Sequence, residues 1–204
     1  MNPTDSELVA AYIQREDHQA FGLLLERHQE RIFGYLMGMV RDRTVADDLF
    51  QETFYRAIRA MNSDRGSYDS QGRWLQWIMR IARNAALDHL RSSKRRNSRI
   101  ANEDDRRLDI DQIAVDDDPD AAEQLQREEQ HEFLYACINR LPEEQREVLL
   151  MRHESELTFR EIAELTNCSI NTALGRMRYA LLHLRRMMNE TNVSELKRIE
   201  LASS

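Results

Sequence analysis

The sequence is poor in the residues that build sheets, cross-links and membrane spans. Six glycines and three prolines among 204 residues are too few for an all-β or loop-rich fold. No stretch approaches the roughly 18 consecutive apolar residues of a transmembrane helix, and the opening MNPTDSELVA has neither the basic nor the apolar region of a signal peptide. We therefore expect a soluble, helical protein that works in the cytoplasm.

Cysteine and clustered metal ligands are also scarce. Cys137 and Cys168 are far apart, neither lies in a CxxC motif, and no pair of histidines stands near them at ligand spacing. This disfavours a disulfide framework or a zinc site, so we expect two buried thiols. His28 lies among apolar positions with no second ligand in register, which favours a structural role. Because no nucleophile, acid–base pair or glycine-rich phosphate loop is found either, we predict no enzymatic activity, no cofactor and no metal.

The net charge of −7 is unevenly distributed along the chain. Residues 1–100 contain 16 Lys and Arg against 13 Asp and Glu, whereas residues 101–130 contain 3 against 12. Residues 131–188 balance at 8 of each. The acidity is thus confined to a middle segment with few large apolar groups. This pattern predicts a flexible acidic linker between two domains that have locally basic surfaces.

Helix-forming residues and capping signals are abundant. Asp17 and Ser169 are N-cap candidates, and Pro142 with the acids after it predicts another helix start. Three capping boxes mark further starts, namely Thr4-x-x-Glu7, Thr44-x-x-Asp47 and Thr158-x-x-Glu161. The longer predicted helices cover about residues 18–40, 48–61, 74–96 and 123–140. We therefore predict an all-α protein of two small helical domains.

The helix predicted over residues 74–96 is amphipathic and basic at its end. Its apolar residues fall within an arc of about 100°; they are Trp74, Ile78, Ile81, Ala82 and Ala85. Its polar side carries Gln76, Arg80, Arg83, Asn84, Asp88 and Arg91, and Lys94, Arg95, Arg96 and Arg99 follow without an intervening acid. This pattern predicts a cationic track along a phosphate backbone, although a merely solvated face would share it.

The preceding predicted helix, 48–61, also has two faces. Leu49, Phe50, Phe54, Ala57, Ile58 and Met61 share its apolar half. The opposite half carries Asp48, Gln51, Glu52, Tyr55 and Arg59. An exposed face of acids, an amide and an aromatic ring could be simple solvation, but it also suits docking to a basic helical partner.

A helix-turn-helix is predicted near the end of the chain. Asn167 stands where a tight left-handed turn is needed, and Ser169 can cap the last helix. The residues expected to pack inward are Ile170, Ala173, Met177, Ala180, Leu181, Leu184 and Met188. Those expected to face outward are Asn171, Thr172, Gly175, Arg178, Tyr179, Arg185 and Arg186, with Arg176 on the border. Four arginines without an acid predict a helix that enters a DNA major groove.

The segments ADDLFQETFYRAIRA (46–60) and WLQWIMRIARNAALDHLR (74–91) resemble region 2 of bacterial sigma factors, closest to the extracytoplasmic-function (ECF) group. The matching residues are Asp48, Leu49, Gln51, Glu52 and Phe54, then Trp77, Ile81, Ala82, Asn84, Asp88 and Arg91. In that family the first helix binds core RNA polymerase, and the second melts and reads the minus-ten element on the non-template strand. The intervening loop, 62–72, is similar to one that captures a flipped-out base.

The segment LPEEQREVLLMRHESELTFREIAELTNCSINTALGRMRYALLHLRR (141–186) resembles sigma region 4, which reads the minus-35 element and contacts the polymerase flap. It departs from the family pattern at Asn167, where Gly is usual, and at Ala173, Leu174 and Gly175, where Val, Lys and Ser are usual. The departures bear on the DNA sequence recognised more than on the activity.

The two resemblances imply three sets of site residues. For core polymerase they are Asp48, Gln51, Glu52 and Tyr55. For minus-ten DNA they are Tyr68, Arg80, Arg83, Asn84, Arg91, Lys94 and Arg95. For minus-35 DNA they are Asn171, Thr172, Gly175, Arg176, Arg178 and Tyr179.

The hypothesis from sequence is an alternative sigma factor with region 2 in 1–97, a linker in 98–130, region 4 in 131–189 and a tail in 190–204. Its partners would be core RNA polymerase and promoter DNA, and the resemblance also allows an anti-sigma factor. The linker could occupy the polymerase channel for nascent RNA or be a solubilising spacer. The main alternative is a dimeric helix-turn-helix regulator that acts without polymerase, and a helical adaptor that binds no DNA is a more distant one.

Overall fold

Helices account for nearly all of the described chain. The computed structural model describes residues 2–62, 72–100 and 133–202, of which 97–100 and 191–202 are described by their backbone only. The helices are α1 (Asp5–Arg15), α2 (His18–Val40), α3 (Arg43–Met61), α4 (Trp74–Ile100), α5 (133–139), α6 (Glu143–His153), α7 (Phe159–Thr166) and α8 (Ile170–Ala202). No strand occurs in these ranges, and the all-α prediction is confirmed. Tyr68, most of its loop and the linker residues 101–130 lie outside the described residues.

Most of the predicted helix starts have the expected side-chain caps. Two capping boxes are complete, those opened by Thr4 and Thr158. The Asp17 carboxylate accepts hydrogen bonds from the first-turn amides of α2. Since the first four backbone N–H groups of a helix have no partner within it, these caps fix where each helix begins. α6 begins at Glu143, so Pro142 is its N-cap residue and not its first helical residue.

The capping box predicted at Thr44 is wrong. α3 begins at Arg43, and its N-cap is Asp42, whose carboxylate accepts a hydrogen bond from the Val45 amide at 3.0 Å. A carboxylate at this position caps as well as a hydroxyl, so the earlier of two candidate caps is the one used. The helix is consequently one and a half turns longer than the predicted 48–61.

The N-terminal domain, formed by α1 to α4, is built around Trp74. This first residue of α4 is fully buried, and its ring lies 5.2 Å from the His28 ring and 6.4 Å from the Phe54 ring. His28 is also buried, and its Nε2 lies 2.8 Å from the Asp5 carboxylate on α1. His28 therefore has a structural role, as expected from sequence, because its contact with Asp5 joins α1 to α2.

The C-terminal domain, formed by α5 to α8, contains the predicted helix-turn-helix. Asn167 is the C-cap of α7 and begins the turn into α8. Its φ of 52° and ψ of 50° are a left-handed conformation, which asparagine tolerates better than most residues. Beyond it, α8 continues to Ala202, through the residues assigned from sequence to a C-terminal tail. Cys137 is buried on α5 and Cys168 is half-buried beside the turn, and both are free thiols.

The helical wheel misplaces residues on both long helices. Gln76, predicted on the wet side of α4, is buried. Three residues of α8 predicted to pack inward are exposed instead, namely Ile170, Leu181 and Met188. On α8 the seven residues predicted to pack inward span an arc of about 100°. This arc is wider than the strip that α6 and α7 cover, which is centred on Ala173, Ala180 and Leu184.

The two domains pack directly against each other, which the sequence does not predict. α2 crosses α6, and α4 contacts α7. At the α2–α6 crossing a Cβ added to Gly38 would lie 2.5 Å from Leu150 Cδ2, and one added to Gly34 would lie 2.8 Å from the Glu154 carboxylate. A side chain at either position would displace the Leu150 or Glu154 side chain, so the two glycines permit this close approach of the helices. The buried residues of both domains accordingly form one continuous cluster.

Candidate nucleic-acid and polymerase interface

The polar face of α3 is fully formed and open. Asp48, Gln51 and Tyr55 are exposed, and Glu52 is half-buried. The Glu52 carboxylate accepts a hydrogen bond from Arg56 Nε at 2.7 Å, one turn along the helix. The Tyr55 ring, 57% exposed, lies under the Arg59 guanidinium at 5.7 Å. We call the four residues Asp48, Gln51, Glu52 and Tyr55 the α3 face; it presents two carboxylates, an amide and an aromatic ring at the protein surface.

The polar stripe of α4 is exposed along most of its length. Arg80, Asn84, Arg91 and Lys94 face solvent, and Arg95, also exposed, donates to the Arg91 carbonyl at 3.3 Å. We call these residues, with Arg83, the α4 stripe. Its cations are balanced within the helix only by Asp88, which lies 3.4 Å from Arg91. Exposed pairs of this kind contribute little to stability, so the stripe remains available to an anionic ligand.

Arg83 is the exception within the α4 stripe. Its Nε lies 2.7 Å from one Glu147 carboxylate oxygen, and a second nitrogen lies 3.3 Å from the other. Only 20% of the Arg83 side chain and 5% of the Glu147 side chain are exposed. A bidentate guanidinium–carboxylate pair out of water is a strong, directional contact. The residue predicted to bind minus-ten DNA is therefore held by the C-terminal domain in this conformation.

A second acid of the C-terminal domain lies against the start of α4. The Glu164 carboxylate on α7 accepts hydrogen bonds from Gln76 at 2.8 Å and Arg73 at 2.9 Å. The hydrogen bond from Gln76, helped by the charge of Arg73, holds the pKa of Glu164 below its usual range. This contact explains why Gln76 is buried. Neither Glu147 nor Glu164 was found by sequence reasoning, because nothing in either helix predicts a contact so distant in the chain.

The turn that leads into α8 is closed by Ser169. Its Oγ accepts a hydrogen bond from the Thr172 amide at 3.0 Å and lies 2.8 Å from the Thr172 hydroxyl. The prediction that Ser169 caps this helix is confirmed. The Thr172 hydroxyl is therefore already in contact with Ser169. The Asn171 side chain, in the same turn, is exposed to solvent.

The rest of the outward face of α8 carries one glycine, one aromatic ring and several cations. A Cβ added to Gly175 would meet nothing within 4 Å, so packing within this chain does not require a glycine there. Arg178 and Tyr179 are exposed. Arg176 is mostly covered and pairs with the exposed Glu144 on α6 at 2.7 Å. The structure thus holds Arg176, which the sequence predicts to contact DNA, in an ion pair within the chain.

An apolar row on α8 combines three residues predicted from sequence to pack inward, Ile170, Leu181 and Met188, with Leu174, which was not assigned to the core. Ile170, Leu174, Leu181 and Met188 are all exposed. They follow one another at helical spacing beside the buried strip of the same helix. The exposure of part of this helix could have been predicted from sequence, because the seven residues predicted to face inward are more than a short domain can cover.

The described part of the chain contains no group of three His, Cys, Asp or Glu side chains placed to hold a metal ion. None of its helices is long and apolar enough to cross a membrane.

Comparison with known proteins assigns both domains. The family model Sigma-70 region 2 matches residues 24–96, and Sigma-70, region 4, matches residues 132–184. The RNA polymerase sigma-H factor of Pseudomonas aeruginosa is 34% identical over 176 residues, covering 85% of this chain and 88% of the relative. The ECF RNA polymerase sigma-E factor of Haemophilus influenzae is 32% identical over 176 residues, covering 85% and 89%. Sigma factor CarQ of Myxococcus xanthus is 32% identical over 171 residues, covering 84% and 90%.

Solved structures agree on the fold. The sigma factor RpoE of Bartonella quintana, determined with the anti-sigma factor NepR, superposes with a TM-score of 0.63 at 17% identity, covering 83% of this chain and 96% of that one. CnrH, determined with the cytosolic domain of CnrY, gives a TM-score of 0.62 at 21% identity, covering 90% and 96%. With two family models that together match more than half of the chain and relatives above 30% identity, the protein belongs to the bacterial RNA polymerase sigma factors, within their extracytoplasmic-function group.

Proposed function

We propose that this sigma factor divides its work among three surfaces. The protein binds core RNA polymerase, recognises the minus-35 and minus-ten promoter elements and helps to melt the DNA. We assign polymerase binding to the α3 face, strand opening and minus-ten reading to the α4 stripe with the loop that contains Tyr68, and minus-35 reading to the outward face of α8. The observation that supports this division is that an acidic face and two cationic faces occupy three different helices.

The α3 face suits a protein partner better than DNA. Asp48 and Glu52 would repel phosphates, while they complement a basic helix on the polymerase. Tyr55 adds an exposed ring, a residue type enriched where protein interfaces are strongest. We propose that the apolar row of Ile170, Leu174, Leu181 and Met188 serves the second polymerase contact, which the resemblance to region 4 places at the flap.

The α4 stripe suits opened DNA. Its cations can follow a phosphate backbone, and Asn84 offers an amide that can donate to and accept from a base edge. The outward face of α8 suits duplex DNA, with Asn171 in the first turn placed to reach base edges in the major groove. Arg178 and Arg185 lie further along the helix and suit phosphates.

In this proposal the polymerase carries out catalysis. The sigma factor only positions the polymerase on the promoter and contributes binding energy. Because its partner works in the cytoplasm, we place the protein there. An anti-sigma factor is a further partner that we propose by analogy with the Bartonella sigma factor, whose structure was determined with one.

A footprint on promoter DNA tests the proposal. We expect protection of both promoter elements only when core polymerase is present, with reactivity of melted bases near the minus-ten element. A footprint by the protein alone would instead indicate the free-standing regulator. Glu52→Lys should abolish the polymerase-dependent footprint, and Asn171→Ala should weaken it at the minus-35 element.

A further inference from the structure

The first two turns of α8 expose apolar side chains beside polar ones. Ile170 and Leu174 are 46% and 44% exposed, and they stand one turn apart on the same edge of the helix. Asn171 and Thr172, which are also exposed, lie in the same two turns. These turns follow the Ser169 cap and begin the second helix of the helix-turn-helix. In such motifs the N-terminal residues of this helix lie closest to the base edges.

Leu174 borders the outward face of α8. At about 100° per residue it lies about 60° from Asn171 and about 40° from Arg178 around the helix axis. Gly175 lies on the other side of Asn171, about 40° away. The start of α8 therefore presents an apolar group, an amide and a bare stretch of backbone side by side.

Packing within the chain does not explain Gly175. A Cβ added there would meet no neighbouring part of the chain within 4 Å. Glycine in a helix interior lowers stability relative to alanine, because it loses more backbone freedom on folding. Without a Cβ, however, the backbone can approach another surface more closely. The outward position of Gly175 indicates that this other surface lies outside the chain.

The same turns offer little to a guanine. Arginine reads guanine through two hydrogen bonds to its major-groove edge, whereas asparagine reads adenine and an apolar side chain contacts the methyl group of thymine. Arg176 is the one cation between residues 170 and 176, all of which the structure describes, and it is mostly covered and paired with Glu144 at 2.7 Å. The side chains that remain at the start of α8 therefore match A·T pairs.

We propose that Leu174 reads thymine in the minus-35 element by contact with its 5-methyl group, and that Gly175 permits the close approach that this contact needs. The inference rests on the proposed function and names the kind of base pair that α8 selects. Asn171, which lies between the two residues, is placed to hold an adenine of the same site.

Charge favours DNA as the occupant of this surface. Arg178 and Arg185 are exposed, and both lie within about 40° of Leu174 around the helix. No acid occurs between residues 170 and 186, all of which the structure describes. A phosphate backbone can therefore lie along this side of α8 without meeting an acid of the same segment.

Removal of one methyl group from the DNA tests the contact. Minus-35 elements that the wild-type holoenzyme selects from a randomised library are resynthesised with deoxyuridine in place of one thymidine at a time, on either strand. Uracil lacks only the 5-methyl group, so binding should weaken about fourfold at the thymine that Leu174 contacts, as expected for one buried methyl-sized group. Deoxyuridine in the spacer between the two elements is the control and should have no effect. Selection of G·C pairs alone, or equal binding to every uracil-containing element, would overturn the contact.

Leu174→Ala identifies the side chain, and Leu182→Ala is its matched control. Leu182 is a similarly exposed leucine about two turns further along α8. Leu174→Ala should bind the thymine and uracil templates equally, while Leu182→Ala keeps the fourfold ratio of wild type. The ratio is compared because a change in affinity for polymerase, which the apolar row also serves in our proposal, affects both templates alike. A ratio retained by Leu174→Ala would overturn the role of Leu174.

Gly175→Ala separates close approach from helix stability. Alanine favours the helix, so the midpoint of urea unfolding should rise, whereas the added methyl group should weaken binding of the holoenzyme to the selected element. Gly22→Ala on α2, where a Cβ also meets nothing within 4 Å, should raise the midpoint and leave DNA binding unchanged. Equal or tighter DNA binding by Gly175→Ala would overturn the role of Gly175.

The outcomes distinguish this inference from the function on which it rests. If the wild-type holoenzyme protects both promoter elements but binds thymine and uracil templates alike, the methyl contact is wrong and the function stands. If the protein and core polymerase together protect no promoter, the proposed function is wrong and the inference falls with it. Circular dichroism shows whether the helices of each variant are intact.

Discussion

Glu147 of the C-terminal domain accepts two hydrogen bonds from the guanidinium of Arg83 in the N-terminal domain, with both side chains largely out of water. Removing one partner of a buried ion pair commonly costs about 3–5 kcal/mol, because the other charge is left buried and unpaired. Here the Arg83 side chain is 20% exposed, so loss of Glu147 does not leave its charge wholly out of water.

We therefore expect Glu147→Ala to reduce the free energy of unfolding by less than about 3 kcal/mol. Glu144→Ala, which breaks the more exposed pair with Arg176, should cost about 0–1 kcal/mol. Urea unfolding followed by circular dichroism measures both. A loss at or above the full range for Glu147→Ala would mean that the Arg83 charge stays buried and unpaired in the variant.

Sequence patterns were sufficient where each residue's environment is set by near neighbours. The capping boxes at Thr4 and Thr158, the cap at Asp17 and the left-handed turn at Asn167 were predicted from a few residues each. These features depend on hydrogen bonds within one turn, so the local sequence contains all the information needed.

The patterns failed where a distant element decides. Gln76 is buried because Glu164, 88 positions along the chain, lies against it, and Arg83 is covered because of Glu147. Leu181 is exposed because α6 and α7 cover only a narrow strip of α8. A helical wheel shows which residues share a face, but not how much of that face another helix covers.

The α3 face gives a prediction about polymerase binding. Glu52→Lys reverses a charge that would complement a basic helix, and it removes a hydrogen bond to Arg56 that is worth only about 0.3–0.5 kcal/mol. We expect the variant to lose co-purification with core polymerase while its helical content stays unchanged. Glu26→Lys, an exposed acid on α2, is the control and should bind normally. Equal binding by both variants would remove Glu52 from the interface.

Asn84 should act in strand opening more than in overall affinity. Its amide is exposed on the α4 stripe, where it can hold a base edge only after the duplex has opened. Asn84→Ala should slow open-complex formation on duplex promoters, and templates already mismatched near the start site should largely rescue it. Gln14→Ala, an exposed amide on α1, should behave as wild type on both. Equal loss on both templates would contradict a role in melting.

His28 makes stability sensitive to mild acid. Burial lowers the pKa of its imidazole from the ordinary 6.5, and the Asp5 carboxylate opposes that shift only in part. Because the unfolded chain then binds the proton first, the stability is fully present above about pH 6.5 and is lost as the pH falls toward the folded-state pKa.

The test compares wild type with His28→Gln in thermal unfolding at successive pH values. Wild type should lose stability relative to the variant as the pH falls below about 6.5, whatever their difference at neutral pH. Asp5→Asn, which removes the opposing charge, should extend the loss further into acid. Parallel curves for wild type and His28→Gln would show that His28 does not titrate on unfolding.

The outward face of α8 predicts a division between base reading and phosphate binding. Asn171 lies in the first turn after the Ser169 cap, where side chains of a recognition helix reach base edges, and Arg185 lies four turns later. Asn171→Ala should change which minus-35 sequences are used, at a cost of about 1–3 kcal/mol for the preferred base. Arg185→Ala should weaken binding to all sequences alike and reduce the salt dependence of binding, because a phosphate contact carries no sequence information.

Selection of active promoters from a randomised minus-35 library, run with wild type and both variants, distinguishes the two effects. If the Asn171 variant selects the same sequences as wild type, the base contact belongs to another residue of α8, and Arg178, which is exposed about two turns beyond Asn171, is the next to substitute.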